Sequence, residues 1–149
     1  SRVEIISGTD KVMAIEIHDP LMVGQVGFDL MVMQIFLKYD ISYILKATNA
    51  NSITQVIWES DCSENLLAEL KEKYYEVTVK PSALVCALGT NIAKPGILAK
   101  ATAAMADNHI NIDAFSQSLK QVNMQFVISR EDYKKAIIVM NDVLCVFTD

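Results

Sequence analysis

Between Lys11 and His18 the side chains alternate, with Met13, Ile15 and Ile17 on one set of positions and Val12, Ala14, Glu16 and His18 on the other. A period of two predicts a strand with one covered face, ended by Asp19-Pro20. After a loop holding Gly24 and Gly27, the apolar stretch Val26 to Lys38 changes period. Phe28, Met31, Val32 and Ile35 recur at helical spacing, while Leu30, Met33 and Leu37 occupy a second stripe. A helix apolar on two faces wants two partners. Ile41 to Thr48 and Ser52 to Glu59 read as two strands joined at the turn-prone Asn49-Ala50-Asn51. Asp61, with Glu64 three residues on, has the form of a capping box before an amphipathic helix over Ser63 to Tyr75, which sets Leu66, Leu67 and Leu70 on one side. Glu76 to Lys80 returns to a strand pattern.

The same order then repeats. Gly27-Phe28 through Asp40-Ile41-Ser42-Tyr43 corresponds to Gly96-Ile97 through His109-Ile110-Asn111-Ile112 at a fixed offset of 69 residues. The second copy reads as strand 83–88, loop 89–96, helix 97–108, strands 111–118 and 123–129, and helix 131–143, with Ser129 and Asp132 as its capping pair. Each copy is β-α-β-β-α with a closing strand: an α+β, ferredoxin-like (βαββαβ) domain, its antiparallel sheet covered by helices on one face. The second copy lacks a final strand after its helix. The unassigned strand-like run Val3 to Ser7 is expected to cross over and complete that sheet.

Composition narrows the function classes. In 149 residues, 52% hydrophobic content with only 3 Pro and 5 Gly excludes a disordered chain. Apolar runs of roughly four to eight residues are too short for a membrane span. A net charge of −5 with no basic cluster argues against nucleic acid as a partner. Cys62, Cys86 and Cys145 show no C-x-x-C spacing, so neither a disulfide framework nor a zinc site is indicated, and a reducing cytoplasm is expected. The chain opens at Ser1 without an initiator Met, which predicts further sequence upstream.

Catalytic motifs are missing: no phosphate-binding G-x-x-x-x-G-K-[ST], no G-x-S-x-G and no H-E-x-x-H. His18 and His109 sit at element boundaries, where capping or partial exposure accounts for them. Acylphosphatase-like enzymes share this topology but need an arginine in the first loop, and neither loop has one. RNA-binding modules stack bases on central-strand aromatics, whereas Tyr43 and Phe115 are isolated. Tyr43, Trp58 and Phe115 are expected in core or interface packing, and Cys86 as a buried small hydrophobe. What remains are two equivalent strand-to-helix loops, residues 19–28 and 90–97. A glycine at a helix start admits a ligand to the backbone, and the free N–H groups there suit a carboxylate.

Lys94-Pro95-Gly96-Ile97 followed by Asn108-His109-Ile110-Asn111-Ile112 resembles the signature of ACT domains, small amino-acid sensors. Met22 through Phe28, Tyr39-Asp40-Ile41-Ser42-Tyr43 and Ser82-Ala83-Leu84-Val85 with Gly89 are similar to the tandem ACT region of lysine-sensitive aspartokinases, across residues 11 to 145. The resemblance implies an effector-binding ACT domain over 11–80 and a second over 81–149. It also implies an upstream kinase domain, the only place where ATP and Mg are expected, and a homodimer formed through the ACT domains. The effector, commonly lysine with threonine as the alternative, would then be held by Met22, Gly24, Gln25, Gly27, Phe28, Asp29, Ser42, Tyr43, Ile44, Thr48 and Asn49. Second-loop residues Asn91, Ile92 and Ala93 would serve packing between units or chains. Relatives carry an acidic residue at the position of Ile44, Ser-Glu at Asn49-Ala50 and an apolar residue at Asp29, so Asp29 is the candidate replacement carboxylate. A ligand-free dimerisation module is the alternative function.

Overall fold

The computed structural model describes residues 2–90, 94–118 and 123–145. The chain divides into two compact units: a contiguous one, Lys11–Pro81, and a split one made of Ser1–Asp10 with Ser82–Asp149. Two long strands, β1 (Arg2–His18) and β4 (Glu76–Thr90), each contribute to both. The sequence pattern predicts a break in each. Instead β1 runs on through Gly8-Thr9-Asp10 and β4 through Pro81, because strand pairing overrides the local breaker signals.

The contiguous unit adds α1 (Phe28–Lys38), β2 (Leu45–Thr48), β3 (Ser52–Trp58) and α2 (Glu64–Lys73), with strand order β2-β3-β1-β4. The antiparallel β1–β3 register sets Ile17 against Ile53 and Met13 against Ile57, and β2 joins β3 antiparallel with Leu45 against Val56. Ile15, Ile17, Ile53 and Ile57 present one sheet face to Phe28, Val32, Ile35 and Phe36 of α1 and to Leu66 and Leu70 of α2. Both helices therefore cover the same side. Gln55 is buried there as well, its Nε2 donating to the Met33 sulfur at 3.4 Å while its Oε1 has no partner among the described residues. An unmet buried carbonyl costs more than the bond its amide makes. We expect Gln55→Leu to stabilise the fold by about 1 kcal/mol, read as a higher urea midpoint; a lower midpoint would mean that the amide is needed.

The split unit has strand order β1-β4-β6-β5, with β5 (Ile112–Gln117) and β6 (Asn123–Ser129) joined antiparallel, and with α3 (Ile97–Asp107) and α4 (Tyr133–Leu144). β4 meets β6 antiparallel, Val85 against Phe126 and Ala83 against Ile128. Val3 of β1, Ala83, Val85 and Ala87 of β4 and Met124, Phe126 and Ile128 of β6 pack with Ala101 and Met105 of α3 and Ala136 and Met140 of α4. Both units are thus α+β, an antiparallel sheet with two helices on one face.

Several boundaries move. α1 begins at Phe28, because Gly27 adopts a left-handed φ of 84° as its N-cap and Val26, 98% exposed, stays in the loop. Ile41–Ile44 precede β2 without belonging to it. Ser63, not Asp61, caps α2, its hydroxyl accepting from the Leu66 N–H at 3.1 Å; Asp61 ends a 3-10 turn. Neither Ser129 nor Asp132 makes a side-chain cap, since a 3-10 turn, Arg130–Asp132, intervenes before α4. The second stripe of α1 is open: Leu30 is 62% and Leu37 76% exposed. Tyr43, Trp58 and Phe115 are each close to half exposed and so are not core side chains, although Phe115 stacks on Phe126 with centroids 6.2 Å apart. Cys86 is only partly buried, its sulfur accepting from Gln125 Nε2 at 3.8 Å. His109 and Asp40 hold equivalent left-handed positions, φ 57° and 55°, after α3 and α1.

Candidate functional site

The loop from β1 to α1 is built on Asp19, a residue that sequence reading treated only as a strand end. Its side chain is buried with both oxygens engaged: Oδ1 accepts from the Leu21 N–H at 2.9 Å and Oδ2 from the Tyr75 N–H at 3.2 Å. The first bond starts the 3-10 turn Pro20–Met22; the second ties the loop to the end of α2. Met22 is buried beneath the turn, and the Gln25 N–H donates to its carbonyl at 3.1 Å. Gly24 and Gly27 take φ of 78° and 84°, and a β-carbon at either would meet nothing within 4 Å. These glycines answer a backbone need and leave open space in front of the chain. The amides of the first turn of α1 have no intrahelical acceptor, as in any helix, and no side chain at the Gly27 cap accepts from them.

The facing segment brings Ser42, Tyr43 and Ile44 up to β2, where the Ile44 N–H donates to the Val56 carbonyl at 2.7 Å. Lys46, missed in the sequence reading, is the charged centre: its side chain is only 15% exposed, its ammonium pairs with the Asp29 carboxylate, and it lies 5.8 Å from the Tyr43 ring centroid. The clue available from sequence was a lone acid and a lone base of opposite charge in two otherwise apolar stretches. Asp29 in the first turn of α1 favours the helix dipole, and Lys46 offsets the repulsion it would exert on an incoming anion.

The named residues separate into groups. Asp29 and Tyr43 are brought together through Lys46, and Gly24, Gln25, Gly27 and Ser42 are exposed. Met22 and Phe28 belong to the core, with Phe28 against Tyr74 at 5.3 Å between centroids. Asn49 closes its own turn: its Oδ1 accepts from the Asn51 N–H, the Ser52 N–H and the Ser52 hydroxyl at 3.0–3.1 Å, and Thr48 Oγ1 donates to the Asn49 carbonyl at 3.4 Å. In the split unit Gly96 repeats the left-handed cap at φ 102°, again with open space before it. Asn91, Ile92 and Ala93 lie outside the described residues.

Among the described residues no group of His, Cys, Asp and Glu is arranged to hold a metal ion, and no helix is long and apolar enough to cross a membrane.

Residues 85–144 match the family model of the ACT domain. Over 145 residues, 95% of its length, the chain is 39% identical to aspartate kinase Ask_Ect of Stutzerimonas stutzeri (strain A1501), of which it covers 30%. Among solved structures, aspartate kinase of Clostridium acetobutylicum superposes with a TM-score of 0.86 at 22% identity, over 97% of this chain and 35% of that one. The regulatory subunit of aspartate kinase from Thermus flavus superposes with a TM-score of 0.83 at 17% identity, over 96% and 99%. The chain thus spans less than a third of the length of the curated relatives it matches. It carries an ACT domain, is homologous to aspartate kinases and has the fold of their regulatory domains.

Proposed function

We propose that this chain is the allosteric region of an aspartate kinase, with residues 11–80 as a first, effector-binding ACT domain and residues 81–149 as a second. The observation that carries the reading is the open turn ahead of α1, where left-handed Gly24 and Gly27 bare backbone amides beside the Asp29–Lys46 pair. There an amino acid's carboxylate meets first-turn N–H groups. The effector acts by binding one arrangement of paired ACT domains better than another, which draws an attached kinase domain toward a less active state. Leu30 and Leu37 give α1 an uncovered apolar face, with Val26 exposed in the loop before it, suited to a second copy of the chain.

The side chain of the effector depends on Asp29. A lysine ammonium needs an unspent carboxylate. Ile44 and Asn49 supply none, and Asp29 already pairs with Lys46. Threonine is therefore favoured over lysine, which the family resemblance put first. Threonine at about 100 times its Kd is expected to stabilise the chain by about 3 kcal/mol, seen as a raised Tm. Lys46→Met, which frees Asp29, is expected to shift the preference toward lysine. The second reading, a dimerisation module without ligand, draws on Asn49 being turned into its own loop and on Met22 and Phe28 being spent in the core. No Tm shift with any of the twenty amino acids, together with a dimer on sizing chromatography, would select it.

A further inference from the structure

The turn between β1 and α1 is pinned at both ends to one dipeptide. At its start Asp19 Oδ2 accepts from the Tyr75 N–H at 3.2 Å, and at its end the Phe28 ring lies 5.3 Å from that of Tyr74. Between these anchors only Met22 is buried, while Gly24 and Gly27 stand in left-handed backbone. Asp19 also reaches a third segment. Its own N–H donates to the Asn51 carbonyl at 3.3 Å, in the hairpin turn that Asn49 closes, and its Oδ1 accepts from the Leu21 N–H at 2.9 Å. A carboxylate that is 6% exposed relies on such N–H groups to replace the water it has lost. If one of them is removed, part of the charge goes unmet, so the segments that Asp19 joins hold together or part together.

We infer that Asp19 is the positioning residue of this turn, holding it in its binding shape against Tyr75 just ahead of β4; the inference rests on reading the turn as the effector site. Asp19 acts through the backbone and touches no ligand. A turn held ready keeps most molecules competent to bind, whereas a loosened one raises the apparent Kd in proportion to the fraction lost. The link also runs the other way: a ligand or a substitution that reshapes the turn strains the same bond, and the Tyr75 amide registers it.

The test follows amide exchange and amide resonances of the 149-residue chain, first without ligand. Asp19→Asn keeps an acceptor for Leu21 but turns an amide donor toward Tyr75. Tyr74 already has the extended backbone of a residue before proline, φ −118° and ψ 151°, so Tyr75→Pro deletes the donor from a position 56 residues along the chain from Asp19. Each variant is expected to speed exchange by about tenfold at Met22 and Gln25, the hydrogen-bonded amides of the turn, and to leave Phe36 and Leu70 as in the parent. Gly24→Ala, which strains a φ of 78°, is expected to shift the Tyr75 amide in the parent and not in Asp19→Asn. Turn amides unmoved by both variants overturn the proposal, as does a Gly24→Ala shift at Tyr75 that survives Asp19→Asn. A rise at Phe36 and Leu70 equal to that in the turn overturns it too, since Asp19 would then be a general stabiliser. Should Asp19→Asn fail to fold, Tyr75→Pro carries the exchange test, and the Gly24→Ala shift is sought in its background. With L-threonine as the probe, both variants are expected to raise Kd about tenfold, and an unchanged Kd counts against the proposal. If threonine leaves the parent's resonances still, the effector reading fails, while the ligand-free exchange still decides whether Asp19 positions the turn.

Discussion

Phe36→Ala is expected to destabilise the contiguous unit by about 3–5 kcal/mol. Phe36 is among the largest fully buried side chains, held by α1 over the isoleucines of β1 and β3 and the leucines of α2. Truncation loses the transfer energy of the ring and leaves a cavity that close-packed neighbours fill only in part. Its sequence neighbour Leu37 is as apolar, yet it faces outward, and Leu37→Ala should change stability by no more than about 0.5 kcal/mol in the monomer. Urea unfolding of both variants checks the phase of the helix, with the two midpoints well separated and the slopes alike. Equal effects would mean that α1 is rotated, and Gly27 and Asp29 would then no longer stand where the proposed site needs them.

A comparable loss is expected from Gly8→Ala, for the opposite reason. Nothing in its backbone angle demands glycine. A β-carbon at residue 8 would instead stand 2.1 Å from the Leu84 carbonyl oxygen and 3.0 Å from the Tyr133 ring. The oxygen belongs to the β4 backbone, which cannot swing aside as a side chain would, so β1 and β4 must part locally. We expect about 3 kcal/mol, the upper end of overpacking costs, and more for Gly8→Val. Hydrogen exchange should localise the loosening to residues 3–8 and 82–88. A Gly8→Ala variant as stable as the parent would show that the first strand does not lie against Leu84.

Much of the fold was legible because its signals are periodic. β6 was read to the residue at 123–129, and the order of helices and strands followed from alternation and helical spacing. What misled was local punctuation. Gly8 and Pro81 look like breaks, yet β1 and β4 pass through them because long-range pairing decides. Asp61 and Ser63 are both plausible caps by type, and only geometry selects the serine. The site was less legible for a related reason. That Asn49 would turn back on its own loop, or that Asp29 would find Lys46 seventeen positions on, depends on side-chain direction, which residue type does not encode. By residue type Glu69 is an ordinary polar position of an amphipathic helix, and its buried, unpaired oxygen exists only once the helix is packed.

The division of β1 between units sets a timetable for the growing chain. Residues 11–81 hold everything the contiguous unit requires and can close as soon as they leave the ribosome. Residues 2–10 are made before that unit, yet Val3 packs with Ala83, Val85 and Phe126, which are made after it. Until β6 is made that segment must wait, and its closure spans the whole contiguous unit, a slow step by contact order. A stalled or shortened chain would therefore present a nascent segment open to chaperones, or to the same segment of a neighbour on the same messenger.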